Sequence, residues 1–128
     1  MTALKKNIKI LVVEDDSDTL ALIQHFLKDT GHEIITSRRG DEAYEVVRDM
    51  QPELAIIDGL IPGIHGFELC QKIKDDPGIA KKPKIILMSS VYTAQKYKFE
   101  VAEFKPDAFM TKPFSKNDLL LKITSLIT

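Results

Sequence analysis

Three unbroken apolar quartets, Ile10–Val13, Leu54–Ile57 and Ile85–Met88, constrain this chain more than any other feature. Successive side chains of a strand point to opposite faces, so four apolar residues in a row require burial on both. A parallel sheet covered on each side by helices supplies that environment. The quartets lie in the runs Ile8–Val13, Leu54–Ile57 and Lys84–Ser89. Two further runs, Glu33–Ser37 and Ala108–Thr111, are shorter or more mixed, as edge strands are. Segments with helical spacing separate all five, the pattern of βαβ units. Inner strands one, three and four, flanked by two and five, predict an α/β fold: a flavodoxin-like, doubly wound parallel sheet of order 2-1-3-4-5.

Five helices are predicted. The first, Asp18–Thr30, carries Leu20, Ile23 and Leu27 on one face, with Gly31 as its stop. The second, Asp41–Met50, buries Ala43, Val47 and Met50 ahead of Pro52. The third, Phe67–Asp75, places Leu69 and Ile73 four apart before Pro77-Gly78. The fourth, Thr93–Phe104, aligns Ala94, Tyr97, Val101 and Phe104. The last starts at Ser115, which has capping-box spacing to Asp118. A chain of 128 residues, 44% of them apolar, can close one core, and no linker or repeat divides it, so residues 1–128 are read as a single domain.

Charge and composition remove several function classes. Eighteen basic and nineteen acidic residues leave a formal charge of −1, which gives no bulk attraction for nucleic acid or anionic lipid. No apolar run approaches the ~18–20 residues of a membrane span, and no signal-peptide core follows Met1–Lys6. The single cysteine, Cys70, has no partner for an internal disulfide and reads as a small packing residue. A cytoplasmic location is therefore expected. His25, His32 and His65 read as surface or helix residues, and Thr36 stands where a zinc-protease motif starting at His32 needs histidine.

Ligands of a doubly wound sheet bind beyond the carboxyl ends of its strands, where the order reverses. Those ends carry Glu14, Asp15 and Asp16, then Asp58, then Ser89 and Ser90, then Thr111, Lys112 and Pro113. Asp16, like Asp18, suits the start of a helix, where acids are favoured. The remaining carboxylates converge beside one lysine and one hydroxyl. Crowded acids raise one another's pKa or recruit a cation, and an oxygen-only set without nearby His or Cys suits Mg²⁺. A carboxylate can also attack phosphorus to give an acyl phosphate, with the metal and lysine offsetting charge on the phosphoryl oxygens.

At these positions the chain resembles the receiver domains of two-component response regulators, the CheY-like family. The resemblance rests on Leu11-Val-Val-Glu14-Asp15, Asp58-Gly-Leu-Ile-Pro62 followed by Gly66, Met88-Ser89-Ser90 and Lys112-Pro113-Phe114, in order along nearly the whole chain. It implies a phosphoacceptor signalling switch, not an enzyme with a separate substrate. Asp58 would accept a phosphoryl group from a histidine kinase or a histidine phosphotransfer protein. Asp15, Asp58 and the main-chain carbonyl of Leu60 would bind Mg²⁺ directly, and Glu14 through water. Ser89 and Lys112 would contact the phosphoryl group. Phe109 matches the aromatic switch position, and Lys112–Pro113 a cis peptide. Output would run through the surface of the fourth helix, fifth strand and last helix, where Phe99 is a candidate contact for a protein partner or, as a homodimer, a second copy.

The chain departs from the family pattern in several places. Gly59 replaces a bulkier residue and is expected to loosen its loop; Ser90 replaces Ala or Gly and is expected to crowd the pocket. The segment Phe104-Lys105-Pro106-Asp107 lacks the usual glycine. Leu60 and Val91 are apolar where some relatives carry water-orienting groups, so slow loss of the phosphoryl group is expected. A phosphohydrolase of the haloacid-dehalogenase type is the rival reading, but it needs a second carboxylate where Leu60 stands. No output domain is expected within the 128 residues.

Overall fold

The computed structural model describes residues 7–90, 95, 96, 104 and 106–127. Five strands, β1 (Lys9–Val13), β2 (Glu33–Ser37), β3 (Leu54–Asp58), β4 (Lys84–Ser90) and β5 (Ala108–Lys112), form one parallel sheet. Their order is β2-β1-β3-β4-β5, as the quartets predict. Alternation within each quartet splits the core in two. Leu11, Val13, Ala55, Ile57, Ile85 and Leu87 enter one cluster, and Ile10, Val12, Leu54, Ile56, Ile86 and Met88 the other. A register slip of one residue would exchange the two sets, so burial on both faces fixes the pairing. Each fully buried Ile or Leu contributes about 1.5–3 kcal/mol.

Helices α1 (Ser17–Leu27), α2 (Gly40–Met50), α3 (Gly66–Asp75) and α4 (Lys116–Ile127) cover the sheet. The first core takes Ala43 and Val47 from α2 and Leu69, Cys70 and Ile73 from α3. The second takes Ile23 and Leu27 from α1 and Leu119 and Ile123 from α4. Of the five predicted helices, the one at 93–104 lies mostly outside the described residues, together with Ala94, Tyr97, Phe99 and Val101; Gln95, Lys96 and Phe104 are described and helical.

Helix ends differ from expectation for local reasons. Helix α1 stops at Leu27, not Thr30, because the Thr30 hydroxyl and main-chain N–H both donate to the Leu27 carbonyl, at 2.7 and 3.2 Å. Gly31 then turns the chain at a positive φ of 84°. The start of α1 is capped by Asp16, which accepts from the Thr19 N–H at 2.9 Å. Met50, expected inside, closes the last turn of α2 and is exposed. The capping box of α4 forms as read: the Asp118 N–H donates to the Ser115 hydroxyl at 3.1 Å.

Strands β3, β4 and β5 each run one residue further than predicted, which brings Asp58, Ser90 and Lys112 into the ladder. The segment that lacks the usual glycine before β5 is anchored at Asp107. Its carboxylate accepts from the Ile85 N–H at 2.8 Å and from Lys74 Nζ at 3.0 Å, which fixes the approach to the strand.

Candidate functional site

The parallel sheet sets the carboxyl ends of β1, β3, β4 and β5 on one edge, and the acids predicted there meet. Glu14, Asp15 and Asp58 each bring a carboxylate oxygen to within 4.8 Å of the others. Lys112 Nζ lies 2.6 Å from Glu14 Oε1 and 3.2 Å from Asp58 Oδ2. Glu14 is 1% exposed and Asp58 8%, so this cluster is withdrawn from water on the sheet side, while Asp15 faces solvent. The Asp16 N–H donates to Glu14 Oε2 at 3.3 Å, and the Leu60 N–H to Asp58 Oδ1 at 3.4 Å.

Burial pushes the Glu14 carboxyl above its ordinary pKa, and the facing Asp58 adds to the rise; Lys112 pulls it down without cancelling it. Burial also works against the Lys112 ammonium, but Glu14 and Asp58 outweigh it and its pKa stands above the usual lysine value. The cluster thus holds one cation already, that of Lys112. Its all-oxygen donors fit a hard divalent ion that keeps several waters, which is the coordination habit of Mg²⁺.

Other predicted site residues are placed as follows. Ser89 is buried on β4, one position beyond the Asp58–Met88 pair in the register, and no hydrogen bond joins it to Asp58. Phe109 pairs with Leu87 and packs, half-buried, against the first core. The Lys112–Pro113 peptide is cis. Leu60 is 44% exposed at the mouth of the cluster. Ser90 is exposed at the end of β4, so it does not close the pocket. Val91 lies outside the described residues.

The expected loosening at Gly59 is not what the structure shows. The Gly59 N–H donates to the Met88 carbonyl at 2.9 Å, and its own carbonyl accepts from the Gly66 N–H at 3.0 Å. A side chain there would meet the Phe67 ring at 2.8 Å, so that ring fills the space, stacked on Phe104 with centroids 5.6 Å apart. Burial pushes the Cys70 thiol up to about 11, which agrees with a packing role. His25 and His65 are exposed, whereas His32 is half-buried and its Nδ1 accepts from the Ile8 N–H at 3.1 Å.

Sequence reasoning passed over Arg38, which reaches from the end of β2 into the loop after β1. An arginine directly after an edge strand, at the level of the acids, was the available signal. Phe67, at the start of the third predicted helix, carries no such signal in its sequence neighbourhood.

The family model for the response regulator receiver domain matches residues 10–124. The alkaline phosphatase synthesis transcriptional regulatory protein PhoP of Bacillus subtilis is 28% identical over 124 residues, which cover 94% of this chain and 49% of that protein. The chain thus spans about half the length of such relatives. The signal receiver domain of a histidine kinase from Syntrophus aciditrophicus superposes with a TM-score of 0.85 at 29% identity, over 94% of this chain and 89% of that one. The receiver domain of the sensor histidine kinase PA1611 from Pseudomonas aeruginosa, solved with magnesium in its active site cleft, gives 0.85 at 19% identity, over 95% and 98%. The family match reaches from the first strand into the last helix, and the chain belongs to the response regulator receiver domain family, the signalling switches of two-component systems that histidine kinases phosphorylate on aspartate.

Proposed function

We propose that Asp58 is the phosphoacceptor, charged by a histidine kinase or a histidine phosphotransfer protein in a Mg²⁺-dependent reaction. The observation that carries this reading is the meeting of Glu14, Asp15 and Asp58 within 4.8 Å of one another, with Glu14 and Asp58 paired to the Lys112 ammonium. An Asp58 carboxylate oxygen bonds to phosphorus as the bond from phosphorus to the donor's imidazole nitrogen breaks, and that electron pair leaves with the imidazole. Lys112 lies 3.2 Å from Asp58 Oδ2 and would pair with the incoming phosphoryl group, giving up its hold on the acids. Asp15 and Asp58, with the Leu60 carbonyl, would hold Mg²⁺ directly and Glu14 through water. The ion, when bound, offsets negative charge on the phosphoryl oxygens.

The phosphoryl group carries about two negative charges at neutral pH. It would draw Ser89 and Lys112 inward and shift an equilibrium between two states of the surface around Phe109, β5 and α4, with residues 93–104. Phe99 on that segment remains the candidate contact for a partner or a homodimer. We read residues 1–128 as one receiver domain acting in the cytoplasm. Among the described residues no helix is long and apolar enough to cross a membrane.

Intact-mass measurement after incubation with a small phosphodonor tests the reading. Wild type should gain one phosphoryl increment with Mg²⁺ and lose that gain on chelation, and Asp58→Asn should gain none. Equal incorporation in Asp58→Asn would refute it.

A further inference from the structure

Of the three acids that meet at the sheet edge, two are held by their own side chains and one is not. Glu14 is fixed by Lys112 at 2.6 Å and by the Asp16 N–H at 3.3 Å, and Asp58 by Lys112 at 3.2 Å and the Leu60 N–H at 3.4 Å. Among the described residues, the Asp15 carboxylate takes part in no hydrogen bond or ion pair, and it faces solvent. Its place in the cluster is therefore set by its main chain. That main chain is gripped from outside the loop. Arg38 Nη2 donates to the Asp15 carbonyl at 2.6 Å and to the Ser17 hydroxyl at 2.8 Å, and so spans the turn from β1 into α1. The ladder supports the same junction, since the Glu14 N–H donates to the Ser37 carbonyl at 3.0 Å. Among the described residues, Arg38 is thus the one side chain that ties the end of the edge strand β2 to the backbone carrying Asp15.

We infer that Arg38 is a positioning residue for Mg²⁺: by holding the Asp15 carbonyl and Ser17 together it keeps the Asp15 carboxylate aimed into the cluster. This rests on the phosphoacceptor reading above. A charge-only role makes the opposite prediction, which gives the inference its test. A guanidinium beside an acidic site repels a divalent cation, so deleting it would tighten metal binding if charge were all that mattered. Loss of a group that orients a ligand weakens metal binding, commonly ~10–100-fold.

The experiment is a calorimetric Mg²⁺ titration of wild type, Arg38→Ala, Arg38→Lys and Ser17→Ala, each checked for folding by circular dichroism. Arg38→Ala should raise the Mg²⁺ dissociation constant about tenfold. Arg38→Lys, which can still donate to the Asp15 carbonyl, should recover part of the loss. Ser17→Ala, which leaves the charge intact, should show a smaller rise. Amide hydrogen exchange without metal should speed up at Asp15 and Ser17 in Arg38→Ala. An Arg38→Ala constant equal to or lower than wild type overturns the inference and leaves the phosphoacceptor reading standing. A wild type that takes up no Mg²⁺ defeats both.

Discussion

Replacing Gly66 by alanine tests how the phosphoacceptor strand is held. Gly66 opens α3 and packs against the carbonyl of Asp58: a Cβ there would lie 1.9 Å from that oxygen and 2.7 Å from its carbon. Ordinary contact begins near 3.4 Å, so the two backbones would have to separate by about 1.5 Å. Neither partner is a flexible side-chain tip. The separation breaks the Gly66 N–H bond to the Gly59 carbonyl (3.0 Å) and strains that from the Gly59 N–H to Met88 (2.9 Å). Each such bond is worth about 1 kcal/mol net, and overpacking adds about 1–3 kcal/mol. Helix propensity returns at most about 1 kcal/mol to alanine. The expected destabilisation is about 3 kcal/mol, which for a domain of this size lowers Tm by roughly 10 °C. Gly59→Ala is the internal control. The three atoms nearest its Cβ all belong to the Phe67 ring, the first at 2.8 Å, and a ring can tilt, so it should cost about 1 kcal/mol. Urea unfolding followed by circular dichroism, compared at equal m-value, measures both. A Gly66→Ala loss below about 1 kcal/mol, or one smaller than that of Gly59→Ala, would refute the close-approach argument.

Three further outcomes are expected. Leu60→Asn should shorten the lifetime of phosphorylated protein several-fold, because an amide at the mouth of the cluster can orient water where the exposed leucine cannot; an unchanged lifetime counts against the role given to Leu60. The raised pKa of Glu14 means the folded state binds its proton more tightly than the unfolded chain, so the stability penalty grows as pH rises and is complete above the folded value. In Mg²⁺-free buffer Glu14→Gln should therefore be more stable than wild type near about pH 8 and lose that advantage near about pH 4; a less stable variant at the higher pH would reverse the sign assigned here. Cys70, buried and with its pKa pushed up to about 11, should react with thiol reagents only as fast as the protein unfolds, and stoichiometric labelling of the native state within minutes would contradict that.

The sheet was legible because its signal is local and redundant. Each apolar quartet demands two covered faces without reference to any other segment, and three of them leave little choice of inner strands. Caps were legible for the same reason, as Ser115 and Asp118 show: the bond spans three residues. Met50 was misjudged because helical periodicity assigns a face but does not say where the covering layer ends. Gly59 was misjudged because the filler of its space, Phe67, reaches it only through the packing of α3.

Residue types at strand ends named the chemistry before any geometry was known: acids from two strands, a hydroxyl and a lysine. Spacing in the chain cannot supply distances between them. Lys112 and Glu14 are 98 positions apart and meet at 2.6 Å only because β1, β3, β4 and β5 are stacked in register. Folding also decided which acid is buried and raised, Glu14, and which stands in solvent with its backbone held from β2, Asp15. Patterns set by a residue's near neighbours are written along the chain; burial and charge coupling depend on what long-range packing brings alongside, and those exist only once the sheet has closed.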